Sequence, residues 1–506
     1  MSVAPETPPA RAPKRESWAF LQLLADIFRR FPDFRAWPLL CGLAALVPSL
    51  HALDPNKSIF QFNVQNWTRQ TGLPSDKVNS VTQTKDGYLW LGTQAGLVRF
   101  DGREFKVVPI DLPEARGLEV LKSSRAPDGR LWFAVGDGGF GGFDGEHFSP
   151  IGDSRWNASD ILAICILAAR DGAIWTGSVS GWGRWMAGKP QETFSDETFG
   201  TVISLWEDAA GRVWLGTGEH GLLYWENGGL KLFPDEELKR YNIYSIVQDG
   251  AGDLWVATNG GLFHYDAAFH RKGVSFPDLQ TNVLLVDRQG VLWAGTKGTG
   301  LGRFQDGKFT MLRKSDGLAS DVVTSLFEDA EGSLWVGTLE GVSQLSDLKF
   351  PIYSAKEGLP GGSAIAVAAS SLGGLWIGLA EGASYFDGGR FTNFADASDL
   401  PNHYVRRIFE ARNGDVYLAD GNKNINIVSA GRIVARCTNG QWPEALVEDA
   451  TGVIAAIGPD LFRIRDGRLE PYRFDGAAPT FGLFNTLCVA KDGAIWAATN
   501  NGLFRI

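Results

Sequence analysis

A tryptophan-centred motif returns along this sequence every 38 to 43 residues, and that period constrains the fold more than any other feature. The first copy is Asp86-Gly-Tyr-Leu-Trp-Leu-Gly-Thr93, and its turn residues, aromatic residue and glycine recur in the later copies. A fixed period of this length is typical of repeat architectures in which each unit packs against its neighbours. The eleven copies are centred on Trp90, Trp132, Trp175, Trp214, Trp255, Trp293, Trp335, Trp376, Tyr417, Ala455 and Trp496.

Each copy contains the pattern of four short β-strands. In the seventh copy, residues 322–329 alternate between apolar and polar, which predicts a strand. Glu331-Gly332 has the residue types of a turn, and residues 334–338 are predicted to form a short apolar strand. Further strands are predicted over 342–345 and 350–353. Four such strands make one blade of a β-propeller. We expect the tryptophan of each blade to lie between neighbouring sheets as core, not in a ligand cage.

The composition agrees with an all-β protein. Glycine, at 62 of 506 residues, supplies turns, and 18 tryptophans and 31 phenylalanines favour strands. The sequence lacks the 3.6-residue apolar period of an α-solenoid, and four strands per unit are too many for a parallel β-helix. WD40 repeats have a similar period, but their Gly-His and Trp-Asp dipeptides do not mark these blades.

The motif resembles the two-component regulator propeller repeat. The pattern is Val-x-Ser-hydrophobic-x-x-Asp, then Gly-x-Leu-Trp-hydrophobic-Gly-Thr-x-x-Gly-Leu, then Phe-Asp-Gly. Val78-Asn-Ser-Val81 and the segment from Asp86 to Gly102 carry it nearly letter for letter. The loop Gln70-Thr-Gly-Leu-Pro-Ser75 matches the element between blades. The resemblance extends from about residue 65 to residue 506.

The resemblance implies a sensor. In that family the repeats usually form two seven-bladed propellers in the periplasm. A small β-sandwich, one membrane helix and a kinase, cyclase or transcriptional output then follow. Its members resemble sensors of extracellular nutrients, often carbohydrate fragments. The sequence ends at Ile506, within the eleventh copy, and carries no signature of an output module. We therefore expect the sensor region without those modules.

The eleven copies are predicted to form one complete ring and a shorter second unit. Seven copies would close a ring, with an outer strand from residues 59–67 completing the last blade, because an open ring exposes a sheet edge. The predicted domains are a seven-bladed propeller over residues 53–357 and an incomplete propeller of about four blades over 358–506. The second is expected to be less well packed. A five-plus-six division is the main alternative.

Residues 1–52 have the pattern of a signal peptide. Six basic residues precede an apolar run over 37–47, and a small residue, Ala52, ends the segment. The run is too short to span a bilayer comfortably. An uncleaved N-terminal anchor is the alternative. The chain is therefore expected to be periplasmic or secreted.

Charge and cysteine content exclude several classes of protein. The net charge of −10 and the pI near 5.3 argue against nucleic acid as a partner, because phosphate binding needs a basic surface. After residue 52 only Cys165, Cys437 and Cys488 remain, which is neither a disulfide framework nor a zinc pattern. We expect Cys165 to be buried, and we do not expect Cys437 and Cys488 to pair.

No catalytic constellation emerges from the sequence. The histidines at 147, 220, 264, 270 and 403 do not have metal-ligand spacing. There is no Gly-x-Ser-x-Gly elbow and no phosphate-binding loop. The Asp-Gly pairs lack the ligand set of a calcium loop and are interpreted as hairpin turns. The sequence thus predicts a binding module rather than an enzyme, with no metal and no cofactor.

A binding site is predicted on one face of the propeller. In a four-stranded blade, the turn between strands two and three and the loop entering the next blade open on the same face, and divergent residues there can carry specificity. The aromatic and guanidinium groups of Gly181-Trp-Gly-Arg-Trp185 can stack on a sugar, although the two tryptophans also fit strand positions that are apolar in other copies. The candidate ligand-binding residues are Gln94, Asp137, Trp182, Arg184, Trp185, Glu219, His220, Asn259, Lys297 and Glu340.

The leading functional prediction is extracytoplasmic ligand sensing in a two-component-type signalling system. The ligand is expected to be an oligosaccharide or another nutrient, and a membrane signalling partner is a further expectation. A protein-interaction scaffold is the alternative, and a propeller carbohydrate-active enzyme is a third reading. The sequence does not indicate an oligomeric state.

Overall fold

A computed structural model gives the fold of the unit Leu53–Ile506. The predicted signal peptide or anchor over residues 1–52 lies outside the described residues. The backbone alone is described for 189–195. The described residues are 53–110, 119–136, 139–151, 162–186, 189–195, 200–272, 276, 279–348, 352–360, 363–394, 404–474, 476–477 and 479–506.

A carboxylate and a glycine shape the first hairpin of a typical repeat. In the fourth repeat, Asp208 Oδ1 accepts hydrogen bonds from the backbone N–H groups of Ala210 and Arg212, both at 2.9 Å. Gly211 follows with φ +84°, a left-handed conformation that residues with a Cβ rarely adopt. The chain therefore reverses here and pairs the strands on either side.

The described residues form eleven antiparallel sheets, numbered 1 to 11 by the position of their first strand in the chain, and the first, second and third strands of each sheet lie side by side in sequence order. The first strands are Val78–Gln83, Val120–Arg125, Ala163–Ala168, Val202–Glu207, Ile243–Gln248, Thr281–Val286, Val323–Glu328, Ala364–Ala369, Val405–Glu410, Pro443–Asp449 and Phe484–Val489. The second strands are Leu89–Thr93, Leu131–Val135, Ile174–Ser178, Val213–Thr217, Leu254–Thr258, Leu292–Thr296, Leu334–Thr338, Leu375–Leu379, Val416–Asp420, Gly452–Ile457 and Ile495–Thr499.

The outer half of each sheet is more variable. The third strands are Gly96–Phe100, Gly139–Phe143, Gly181–Met186, Leu222–Glu226, Gly261–Tyr265, Leu301–Gln305, Gly341–Asp347, Gly382–Phe386, Ile425–Ser429, Asp460–Arg465 and Gly502–Arg505. Sheets 5 and 11 have three strands among the described residues. The fourth strands of eight other sheets are Phe105–Val108, Phe148–Pro150, Lys189–Ser195, Gly229–Leu232, Lys308–Leu312, Phe391–Asn393, Arg432–Cys437 and Arg468–Pro471.

Helical structure in the described part of the chain is confined to short 3-10 turns. None of these helices has the length and hydropathy of a membrane span. They are Ile59–Gln61, Arg69–Thr71, Glu236–Arg240, Lys314–Asp316 and Ala355–Glu357.

Sheet 7 is completed by a strand from the beginning of the described chain. Phe62–Trp67 pairs antiparallel with Gly341–Asp347, with Phe62 opposite Asp347 and Trp67 opposite Val342. The predicted outer strand from residues 59–67 is thus confirmed, although its first three residues form a 3-10 turn. The prediction of a fourth strand over 350–353 is wrong for its described residues, Ile352 and Tyr353, because Phe62–Trp67 already occupies that edge.

The first seven sheets follow one another in a closed cycle. The first strand of each sheet contacts the first strand of the next, and the first strand of sheet 7 returns to that of sheet 1. Sheets 8 to 11 contact one another in series. The all-β propeller fold is therefore confirmed. The division into domains at residues 357 and 358 stays a prediction.

The repeated tryptophans lie between neighbouring sheets, as predicted. Trp293 is fully buried and packs with Val323 and Leu334 of the next sheet. Trp335 packs with Val78 of sheet 1 and so fills the last gap of the cycle. In sheets 4, 5, 6 and 7 the indole N–H also donates to the aspartate of the first hairpin, at 2.7 to 3.0 Å. Each indole is thereby fixed in orientation as well as buried.

The glycine that follows the tryptophan by two residues permits close packing. A Cβ at Gly337 would lie 2.2 Å from Ser325 Oγ and 3.0 Å from the carbonyl oxygen of Val78 in the next sheet. Any side chain would therefore push sheet 7 away from sheet 1. This glycine is a packing requirement rather than a turn.

Sheet 10 replaces the indole by an ion pair. Its central residue is Ala455. The hairpin aspartate, Asp449, instead accepts hydrogen bonds from Nη1 and Nη2 of Arg463, both at 2.8 Å. These hydrogen bonds hold the pKa of Asp449 well below its usual range, although burial acts in the opposite direction. A charge pair therefore takes over the hairpin contact that the indole makes elsewhere.

Trp255→Ala is expected to lower the free energy of unfolding by about 3–5 kcal/mol, because it removes a buried indole and leaves a cavity. Trp496 occupies the same repeat position in the last sheet but is only half-buried. The Trp496→Ala control should cost clearly less. Urea unfolding of both variants tests this, and a loss below about 1 kcal/mol for Trp255→Ala would contradict an interblade role.

Asp449→Asn is expected to cost about 1.5–3 kcal/mol at pH 7, because it breaks a charged, nearly buried hydrogen-bonded pair. The pKa of this carboxyl is lower in the folded state, so its contribution is present above the unfolded value and is lost as the pH falls through the folded one. Urea unfolding at pH 7, 5 and 3 should show the difference shrinking only at the lowest pH. The exposed pair of Asp492 with Arg505 is the control, and Asp492→Asn should cost little.

The separately produced fragment 358–506 is expected to unfold without a sharp transition. Its first strand, Ala364–Ala369, exposes Ile365 and Val367, the latter to 63 %. Apolar side chains left in water contribute nothing to stability. A cooperative calorimetric transition from a compact monomer would contradict the predicted partition.

Candidate functional site

The turns between second and third strands and the entries to the first strands lie on one face, here called the entry face. In ten of the eleven sheets, the residue after the second strand donates its backbone N–H to the carbonyl of the residue before the first strand. In sheet 1 this bond joins Gln94 to Lys77 at 3.3 Å. In sheet 6 it joins Lys297 to Gln280 at 2.9 Å. The expectation that both loops open on the same face is thus confirmed.

Threonine fixes these turns. In sheet 5, Thr258 Oγ1 donates to the carbonyl of Gly261 at 2.9 Å and accepts from the N–H of Gly260 at 3.0 Å. The same donor bond is made by Thr93, Thr217, Thr296, Thr338 and Thr499. Side chains between the threonine and the glycine therefore project from a rigid support.

Trp182 and Trp185, the aromatic candidates, are core residues and not part of a sugar platform. Both are only 1 % exposed. Trp182 stacks on Trp175, with ring centroids 5.4 Å apart. Trp185 donates to Thr176 Oγ1 at 3.0 Å. The prediction that these rings face a ligand is wrong, because both faces of sheet 3 are covered by neighbouring sheets.

Arg184 does not reach the entry face either. Its Nη2 lies 3.2 Å from Asp171 Oδ2, in the hairpin at the opposite end of the sheet. The guanidinium also lies over the Trp175 ring, 5.8 Å from its centroid. Arg184 therefore supports the sheet, and the prediction of a ligand contact is not supported.

Four other candidates occupy entry-face turns but make separate contacts. Gln94 and Glu219 are exposed, and the half-buried His220 donates its backbone N–H to Thr217 Oγ1. Glu340 pairs with Lys314, which lowers the pKa of its carboxyl. Their role as ligand contacts stays a prediction. The remaining candidate, Asp137, lies outside the described residues.

Asn259 and Lys297 belong to one polar network. Asn259 Oδ1 accepts from the backbone N–H of Asn242 at 2.8 Å. The Asn242 side chain lies 3.5 Å from the Tyr244 hydroxyl, and Lys297 Nζ lies 3.8 Å from the centroid of the Tyr244 ring. Burial alone would raise the pKa of Tyr244, but the bonds from Lys297 and Asn242 outweigh it and lower the pKa. We call these four residues the Tyr244 network.

The Tyr244 network reaches the centre of the ring. A cavity of about 640 Å³ is lined by the first strands of sheets 1 to 7, and Tyr244 is one of its lining residues. Its volume lies within the range of small-molecule sites. The network thus joins the turns of the entry face to a central cavity. Sequence reasoning missed Asn242 and Tyr244, because nothing in a single repeat shows that first strands converge.

A second polar cluster lies near the opposite face, in sheet 5. His264 Nε2 is 2.8 Å from Asp253 Oδ2, and the imidazole stacks on Trp255 at 3.7 Å. Asp249 lies close enough for the three residues to offer ligand atoms within 4.8 Å of one another. Lys272 Nζ, 2.5 Å from Asp253, already neutralises this carboxylate. The cluster therefore has an internal counter-charge.

Comparisons with known proteins agree with the repeats. The family model described as "Two component regulator propeller" matches residues 72–95, 237–260 and 317–340. These segments fall in sheets 1, 5 and 7. No curated protein sequence matches the chain.

Several solved structures are similar to the chain. One is the extracellular domain of a protein described as the hybrid two-component system BT3049 of B. thetaiotaomicron. It is 18 % identical with a TM-score of 0.55, over 88 % of this chain and 71 % of that domain. The extracellular domain of BT4673, a one-component system by its description, is 19 % identical with a TM-score of 0.48, over 88 % and 66 %. Virginiamycin B lyase of Staphylococcus aureus is 13 % identical with a TM-score of 0.46, over 57 % and 100 %.

The family match and the structure identify the same unit. The matched segments contain the first strand, the second strand with its tryptophan, and the threonine at the turn that follows. The same unit recurs in the sheets that the family model does not match. The chain therefore contains two-component regulator propeller repeats, as the resemblance of its motif implied.

Proposed function

We propose that the chain is the extracytoplasmic ligand-sensing region of a two-component-type signalling system and recognises an oligosaccharide or another nutrient on its entry face. The observation that carries the proposal is the Tyr244 network, which connects divergent turns to a cavity at the centre of the ring. A ligand there touches several sheets at once. Binding can therefore alter the packing of the whole ring, as sensing requires.

The chemistry of the network suits a carbohydrate. Sugars bind through stacking on an aromatic ring and through hydrogen bonds to amide and charged side chains. Tyr244 supplies a half-buried ring, Asn242 and Asn259 supply amides, and Lys297 supplies an ammonium group. The same groups do not include a nucleophile paired with a general base. We accordingly propose binding rather than turnover.

The site of action in this proposal is outside the cytoplasm. The signal-peptide pattern of residues 1–52 supports this, as does the similarity in fold to the extracellular domain of BT3049. A membrane protein that carries the output is the proposed signalling partner. The oligosaccharide, the location and this partner are all part of the proposal.

Tyr244→Ala is expected to weaken binding of the best oligosaccharide from a glycan library by at least about tenfold, because it removes the aromatic anchor. Hits are first found as a rise in melting temperature and then measured by titration calorimetry. Tyr88→Ala is the matched control. Arg99 covers the Tyr88 ring at 4.5 Å, but this tyrosine follows the hairpin of sheet 1 at the opposite face, so affinity should be unchanged.

Two results would contradict the proposal. One is equal loss of affinity in Tyr244→Ala and Tyr88→Ala, which would mean that the entry face is not the site. The other is a library without any hit, while a protein that co-purifies with the chain raises its melting temperature. That result would favour the protein-interaction scaffold.

A further inference from the structure

We propose that the central cavity binds a carboxylate-bearing ligand, such as an acidic sugar, through the ammonium group of Lys122. The inference rests on the proposed function, since it names the class of ligand for the same ring. The ligand's main contact is assigned to Lys122, which lies one residue further along its first strand from the entry face than Tyr244 does along its own.

The position of Lys122 in its repeat is the first observation. It is the third residue of the first strand of sheet 2 and lies opposite Ala134 of the second strand. The corresponding residues of the other six sheets in the ring are Ser80, Cys165, Ser204, Ser245, Val283 and Ser325. A lysine therefore stands where the other repeats have a small or apolar side chain. Both Lys122 and Tyr244 line the 640 Å³ cavity.

The second observation is that the Lys122 ammonium has no counter-ion within the described part of the chain. It makes no ion pair and no hydrogen bond there, and the side chain is half-buried. Burial lowers its pKa from the usual value. A half-buried cation without a protein partner carries a desolvation cost that a bound anion would offset.

The neighbouring thiol does not supply the missing charge. Cys165 lies on the adjacent first strand and also lines the cavity. Its Sγ–H donates to the carbonyl of Val202 at 3.5 Å. Burial raises the pKa of this thiol to about 12, so it stays neutral. The charge on Lys122 therefore remains available.

The other charged residues of the cavity wall give the cavity a net positive charge. The described lining residues include three cationic side chains, those of Lys122, Arg125 and Arg288. They include a single carboxylate, that of Glu328. Arg288 and Glu328 face each other, with Nε 3.6 Å from Oε1, and largely cancel. The cavity is thus cationic in a chain whose net charge is −10. An anionic ligand gains from such a focused field, and a neutral one does not.

Titration calorimetry with digalacturonate and its dimethyl ester tests the proposal, because the ester keeps the shape and removes the charges. The full chain should bind the acid at least about tenfold more tightly than the ester. Lys122→Gln should abolish that preference, and Lys122→Arg should retain part of it. Lys106→Gln, which removes the same charge from the exposed outer strand of sheet 1, should leave it unchanged.

A stability measurement separates a binding lysine from a structural one. Without ligand, Lys122→Met should melt at the same temperature as the unaltered chain or higher, because it replaces a half-buried, uncompensated charge by an apolar chain. A large fall in melting temperature would show that Lys122 supports the fold, and the proposal would fail.

The outcomes also distinguish this inference from the proposed function. If neutral oligosaccharides bind and the acid shows no advantage over its ester, the role of Lys122 is refuted while the sensing function stands. Equal binding of the acid to Lys122→Gln and to the unaltered chain refutes it as well. If no carbohydrate of either kind binds, both proposals fail.

Discussion

The fold depends on an indole wedged between two sheets and held by a carboxylate. Trp214, for example, is fully buried against sheet 5 while its N–H donates to Asp208 at 3.0 Å. Asp208 at the same time shapes the hairpin from which that strand emerges. One carboxylate thus fixes both the turn and the wedge.

The repeats that lack this arrangement show how tightly it is specified. In sheet 8 the Trp376 indole donates instead to Glu410 of the next sheet, at 3.2 Å. In sheet 10 the indole is gone, and Arg463 binds Asp449. The hairpin therefore survives in both sheets. Within the closed cycle the carboxylate is also replaced in sheet 1, where the Trp90 indole donates to Thr84 Oγ1 at 2.9 Å.

The sequence was sufficient for the repeat unit and for the strand that closes the ring, but it assigned one strand too many to sheet 7. Spacing, turn residues and alternation predicted the strands of the seventh copy up to residue 345, because those features are local. They also predicted a strand over 350–353, because the local pattern does not show that a strand from nearly 280 residues earlier occupies the edge of Gly341–Asp347. The exposure of Trp182 and Trp185 was misjudged for a related reason. Alternation indicates one solvated face, whereas a sheet inside a propeller is covered on both faces.

The site was only partly accessible from the sequence. Asn259 and Lys297 could be predicted because they diverge within otherwise similar turns. Tyr244 could not, since it lies inside a strand that alternates normally. Lys122 was missed because a lysine within a strand indicates a solvated position, and only the closed ring turns that position inward.

The strand pairing between Phe62–Trp67 and Gly341–Asp347 has a consequence for how the chain matures. The ribosome makes the first partner long before the second, and at about 5–20 residues per second the interval is on the order of tens of seconds. Throughout that time the early strand is a bare edge able to pair with another nascent chain. A holdase chaperone, or export during translation, would protect this edge. The ring can close only after the seventh sheet has left the ribosomal exit tunnel.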